Sequence, residues 1–184
     1  MRPSLLLTAG FCVAVWLRMV IGGAGVAGSV VAGLAFAACL LALSWRAWRR
    51  GDVSLRVLGW GLLGAAVLFI PVSLLHMSDV TDHARPMGNY AIWAVVVSLV
   101  ALAEELFLRG KLYLAILKWQ GRWPAIVGGA LLFAALHVPL YGWHVLPLDF
   151  TVGLWLGSLR ASSGSWVAPG VAHVLADLGA WWIV

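Results

Sequence analysis

The chain of 184 residues is 63% hydrophobic and 10% charged, and its mean hydropathy is +0.99. A soluble domain of this length could not hide so much apolar surface, so the bilayer is the expected solvent. The net charge of +5 comes from basic residues scattered over short connections, which suits anionic headgroups and topology and argues against nucleic-acid binding.

Taken in chain order, apolar runs fall at about 4–22, 25–45, 57–76, 90–108, 123–140, 147–160 and 165–184. A helix needs ~20 residues to cross the hydrocarbon, so the sixth run is short. The pattern predicts an all-α, polytopic membrane helical bundle of about seven transmembrane helices (six to eight). Arg2 and the apolar run from Leu5 to Leu17 resemble a signal peptide, but Arg18 ends the run and a second apolar stretch follows at once. An uncleaved first membrane helix is the preferred reading. Cys12 and Cys39 lie inside apolar runs and suggest neither a disulfide framework nor a zinc cluster. No internal repeat or long linker divides the chain, which reads as one integral-membrane domain over 1–184.

Loop charges orient the bundle. With the N-terminus cytoplasmic, the inner side collects Arg2, Arg46, Arg49, Arg50, Arg56, Arg109, Lys111, Lys118, Arg122 and Arg160, and Arg85 alone faces outward. The outer 77–88 segment carries Asp79, Asp82 and His83. Tryptophans at run ends, such as Trp45, Trp123, Trp143 and Trp182, suit interfacial anchoring. Glycines and alanines at 22–37 and 125–135 permit close helix packing in lipid.

Ionisable groups within the apolar runs carry the functional signal, because an intramembrane charge is expensive and marks a site by default. They are Arg18, Glu104, Glu105, His137, His173 and Asp177. Arg18 can snorkel to an interface and is assigned no chemistry. His76 and Asp149, at run edges, read as solvated boundary residues. Glu105 and Arg109 are four apart, so they share a helix face and can pair. Glu104 is turned ~100° away and is left free for chemistry. His173 and Asp177, also four apart, share a face of the last helix. The polar break Gln120-Gly121-Arg122 reads as a turn, with Pro124 in the first turn of the next helix. If the fourth helix runs on to Trp119, the resulting hairpin brings Glu104 and His137 to one depth. A long, tilted fourth helix would also reconcile the depths of Glu104, His137 and His173.

A buried carboxylate with two histidines suits hydrolysis: the glutamate takes a proton from water, one histidine orients that water, and the other donates to an oxyanion. The motifs Gly-x-Ser-x-Gly and His-Glu-x-x-His are absent, which argues against a serine hydrolase or a zincin.

Glu104-Glu105-x-x-x-Arg109, then Phe133-x-x-x-His137, then His173-x-x-x-Asp177 resemble the three ordered motifs of the CPBP intramembrane proteases. That family includes the type II CAAX endoproteases and the bacterial Abi, or bacteriocin-immunity, proteins. The resemblance covers about 90–184 and implies a glutamic-type hydrolase. Glu104 would be the base, His137 its partner on the water, and His173 the oxyanion donor. Glu105, Arg109 and Phe133 would support them. Much of the family ends the last motif in asparagine, whereas here Asp177 stands, and an ionised aspartate cannot donate a hydrogen bond. It would be protonated, orient His173, or bind a metal. The resemblance favours a mechanism without a cofactor; were a metal present, Glu104, His137, His173 and Asp177 would be a legitimate zinc ligand set.

The implied partners are a membrane-anchored protein or peptide substrate and the lipid bilayer, in a setting that suits a prokaryotic inner membrane. The implied reaction is cleavage near the substrate's C-terminus, in a CAAX-type prenylated tail or a C-terminal anchor sorting signal. A non-catalytic immunity or scaffold protein is the alternative, and a proton-coupled transporter, which lacks support from repeated halves, is a third reading.

Overall fold

The computed structural model describes residues 3–22, 25–74 and 89–183. His76, Asp79, Asp82, His83, Arg85 and Arg2, used above as edge or loop groups, lie outside the described residues.

Seven long helices make up the described chain: α1 (Pro3–Gly22), α2 (Gly25–Ser44), α3 (Leu55–Leu74), α4 (Tyr90–Gln120), α5 (Arg122–Tyr141), α6 (Leu146–Ser163) and α7 (Val167–Ile183). Short 3-10 turns, Trp45–Arg50 and Trp143–Val145, join two of the pairs. No strand occurs among the described residues, and the expected all-α class is the observed one. Three of the helices are long and apolar enough to cross a membrane: the second, over Ser29–Arg49, the fourth and the fifth. Shorter apolar stretches lie at Leu6–Ile21 and Leu55–Ile70. A chain whose helices are this apolar packs as an integral-membrane bundle, because a helix satisfies most of its backbone polar groups internally.

Local chemistry sets the ends. The Asn89 side chain accepts from the Ala91 N–H at 2.8 Å and caps α4. Gly121 and Gly142, at φ of 90° and 94°, bracket α5 in a left-handed conformation that a side chain disfavours. The hairpin expected at Gln120-Gly121-Arg122 is therefore present. Helix α4 runs 31 residues, well beyond the run at 90–108. At ~1.5 Å per residue it is about 45 Å long, so it tilts or projects beyond a hydrocarbon core of ~30 Å.

Helices α5 and α6, α3 and α7, and α1 and α2 form the most extensive pairings, and α4 packs against α2 and α7. Leu7, Phe11 and Ala14 form the buried stripe of α1, and Phe11 stacks on Phe107 of α4 with ring centroids 5.2 Å apart. Phe107, Leu108, Phe133, Leu136, Leu156 and Leu159 build the centre of the core around α4, α5 and α6.

The closest backbone approach lies between α5 and α6. A Cβ on Gly153 would meet the Ala130 Cα at 2.8 Å and the Ala130 carbonyl oxygen at 3.1 Å. Backbone cannot step aside as a side-chain tip can, so Gly153→Ala is expected to cost roughly 1–3 kcal/mol. Thermal unfolding of the purified variant in detergent checks this; an unchanged midpoint would mean the two helices are not in this contact.

Two basic residues counted above as inner loop charges lie inside the bundle. Arg109 is 1% exposed and Arg160 8%. Each has found acceptors in the protein, so neither reports on topology.

Candidate active site

Helix α4 changes its winding just after the paired glutamates. Residues Leu106–Leu112 form a π-helical segment, a widened turn frequent at functional sites. The Tyr113 N–H bonds the Leu108 carbonyl, five residues back, instead of the Arg109 carbonyl that an α-helix would use. The Arg109 carbonyl instead accepts from Arg160 Nε at 2.9 Å. Arg160 also lies over the Tyr113 ring, 4.9 Å from its centroid. A buried carbonyl released from the helix ladder must find a donor, and the α6 arginine supplies it.

Glu105 is fully buried, and one oxygen carries its contacts. Oε1 accepts from Arg109 Nη1 at 2.7 Å and from His173 Nδ1 at 3.1 Å, while Oε2 is buried with no hydrogen-bond partner. The expected Glu105–Arg109 pair is present. Arg109 Nη2 donates to the Gly153 carbonyl at 3.1 Å, and its guanidinium lies 5.0 Å from the Phe133 ring centroid. The cation is thus held by α4, α5 and α6 together.

Phe133 is the hub between the histidines. Its ring centroid lies 4.6 Å from that of His137 and 5.3 Å from that of His173. His137 Nδ1 is 2.9 Å from the Phe133 carbonyl oxygen. A carbonyl only accepts, so Nδ1 carries the hydrogen and Nε2 of the neutral ring is left as an acceptor. The His137 ring stacks on Tyr141, with centroids 5.8 Å apart.

His173 sits between two carboxylates. Its Nδ1 faces Glu105, and its Nε2 lies 3.6 Å from Asp177 Oδ2. Of the roles open to Asp177, orienting His173 is the one this arrangement matches.

Glu104 is buried, at 2% exposure, and points away from Glu105 as the helical rotation requires. Its Oε1 is not free, however: Arg18 Nη1 lies 3.3 Å away, and the guanidinium is 4.8 Å from the Phe36 ring centroid. Arg18 therefore does not snorkel, because α1 delivers it into the site. The signal was in the sequence: Leu7, Phe11, Ala14 and Arg18 are spaced to share one helix face. No direct hydrogen bond joins Glu104 to His137 among the described residues. The hairpin brings both into one cluster, in which Asp149 and Asp177 each lie within electrostatic reach of His137 and Glu104.

Asp149 corrects a second expectation. It lies in the first turn of α6, and its Oδ2 is buried without a hydrogen-bond partner rather than solvated. Among the described residues no group of three or more His, Cys, Asp or Glu is arranged to hold a metal ion. Glu104 faces a guanidinium, and His137 and His173 each turn Nδ1 to a protein oxygen.

Outside the bundle, Ser165 ties two connections together. Its Oγ accepts from the Asp52 N–H at 3.1 Å and donates to the Asp52 carbonyl at 3.0 Å. The Asp52 carboxylate accepts from the Ser54 hydroxyl and N–H, which hold its pKa below the usual carboxylate value. This latch sits at the start of α7, the helix that carries His173, where Ser165 Oγ also accepts from the Val167 N–H.

The apolar helices define an integral-membrane protein, and the carboxylates and histidines described above lie within its bundle. Residues 86–179 match the family model described as type II CAAX prenyl endopeptidase Rce1-like, and the chain belongs to that family of membrane proteases. No curated protein and no solved structure matches the chain. The matched segment contains every expected site residue from Glu104 to Asp177 and excludes Arg18.

Proposed function

We propose that the protein is an intramembrane endopeptidase that hydrolyses a peptide bond near the C-terminus of a membrane-attached substrate. The tail is of the prenylated CAAX type or a C-terminal anchor sorting signal. The observation that carries this reading is that Glu104, His137 and His173 all lie within electrostatic reach of the same two carboxylates, Asp149 and Asp177, within the segment that matches the protease family. Glu104 takes the proton of the attacking water, and Nε2 of His137 accepts a second hydrogen bond from it. His173 stabilises the oxyanion; this needs Nε2–H, and therefore a ring that also keeps Nδ1–H on Glu105. Asp177, 3.6 Å from that Nε2 in the free protein, orients the ring until the oxyanion takes its place as acceptor. Phe133, under both imidazoles and the Arg109 guanidinium, keeps the centre dry and in register. The mechanism uses no cofactor. Its support is the Arg18 guanidinium 3.3 Å from Glu104 Oε1, which already supplies a positive charge to that carboxylate.

The test is cleavage of prenylated CAAX and anchor-tail peptides by the purified protein in lipid. His137→Ala and His173→Ala are each expected to lower the rate ~10²-fold or more, and a chelator is expected to leave it unchanged. Asp177→Asn is expected to reduce the rate less than His173→Ala, since it alters only the orienting partner. Full activity in both histidine variants would remove this site, and activity lost to a chelator and restored by zinc would replace the mechanism with a metal-dependent one.

A further inference from the structure

Arg18 is the one site residue that lies outside the family-matched segment, on a helix the family signature does not include. Its placement is built rather than incidental. Phe11 stacks α1 on α4 two turns earlier along the same face, and Arg18 then reaches between the Phe36 ring and Glu104. Its side chain is 20% exposed, whereas Glu104 is 3% exposed, so the guanidinium forms the outer boundary of the carboxylate.

The charges around it raise a binding problem. Glu104, Glu105, Asp149 and Asp177 all lie in or around the cluster, beside Arg18, Arg109, His137 and His173. A peptide tail that ends in a free carboxylate brings another negative charge into this low-dielectric space, where an uncompensated charge is strongly disfavoured. Arg109 cannot receive it: both of its Nη atoms are engaged, with Glu105 and the Gly153 carbonyl, and it is buried behind Phe133. Arg18 can. Its one hydrogen bond among the described residues uses Nη1, and a guanidinium has five donors arranged to grip a carboxylate bidentately.

We infer that Arg18 is the anchor for the C-terminal carboxylate of the substrate tail, with Glu104 as its place-holder in the free protein. Binding exchanges one carboxylate for another on the same guanidinium. The exchange releases Glu104 Oε1, so the lone pair needed for the water becomes available when a tail of the right chemistry is seated. Arg18 is thereby a specificity residue coupled to the base. The identity of the tail rests on the protease reading above; the carboxylate preference rests on the geometry of Arg18.

The two are separated by measuring binding without turnover. The probe is a dansyl-labelled, farnesylated CAAX peptide, prepared with a free C-terminal carboxylate and as the C-terminal amide. It is titrated against full-length Glu104→Gln protein in nanodiscs. The carboxylate form is expected to bind at least tenfold tighter than the amide. Adding Arg18→Gln is expected to bring the ratio close to one, and Arg18→Lys to restore part of it, each variant being checked for monodispersity. Equal binding of the two forms, or a preference that survives Arg18→Gln, overturns the anchor. A wild-type protein that cleaves both forms equally keeps the protease reading and removes the anchor. A protein that selects the carboxylate through Arg18 yet cleaves neither form keeps the anchor and removes the protease reading.

Discussion

Glu104→Gln is expected to lower the rate of tail cleavage by ~10²–10⁴-fold, the range that a positioned general base contributes. The amide has the shape of the carboxylate, and its carbonyl oxygen can still accept from Arg18, so packing and the contact at 3.3 Å are retained. What it loses is the ability to take a proton from water. Thermal unfolding should shift far less than for a fully buried pair, since Arg18 is 20% exposed and keeps an acceptor in the amide. Single-turnover cleavage of a tail peptide, beside an unfolding curve for the same preparation, separates chemistry from stability. A variant that folds normally and cleaves at the wild-type rate would assign the base to another residue.

Arg109→Met should act in the opposite way, through stability first. The side chain it replaces is buried and carries three contacts: Glu105 Oε1, the Gly153 carbonyl and the Phe133 face. Methionine fills much of the volume but leaves Glu105 in the core without its guanidinium and with one oxygen already unpartnered. Removing one member of a buried pair typically costs ~3–5 kcal/mol because the other charge is stranded. The double variant Arg109→Met with Glu105→Leu removes both charges and is expected to regain most of the lost stability. It should not regain activity, because His173 Nδ1 then has no acceptor to hold its ring. Unfolding midpoints and cleavage rates of the single and double variants check both halves. A single variant as stable as the wild type would mean that the pair is not buried in the membrane-embedded protein.

The two effects differ because the adjacent glutamates do different work, and part of that division is local. A separation of four residues on a helix forces Glu105 and Arg109 onto one face, whatever the rest of the chain does. A step of one residue turns Glu104 away by ~100°. The same arithmetic pairs His173 with Asp177 and sets the turn at Gly121 so that α4 and α5 return antiparallel. The apolar runs were also legible, since hydrocarbon thickness selects helix length and leaves few alternatives to a bundle.

What the local pattern does not contain is which helix faces which. Arg18 and Glu104 are 86 residues apart, and their meeting depends on Phe11 docking α1 against α4. Asp149 reads as solvated because it stands at the edge of an apolar run, yet its Oδ2 is buried in the first turn of α6. The π-helical segment is likewise decided by a partner, the Arg160 side chain that takes the carbonyl freed at Arg109. Read alone, the chain carries the membrane class, the succession of helices and the Glu105–Arg109 pair, which follow from helix period and hydrophobic length; Glu104, His137, His173 and Asp177 stand out as ionisable groups in apolar runs, and Phe133 only through the family resemblance. Only the tertiary structure decided that Glu104 has a guanidinium in front of it, that His173 leans on Glu105, and that Arg160 is internal. Those contacts join helices distant in sequence, and their energies depend on shared burial, which no periodicity along the chain records.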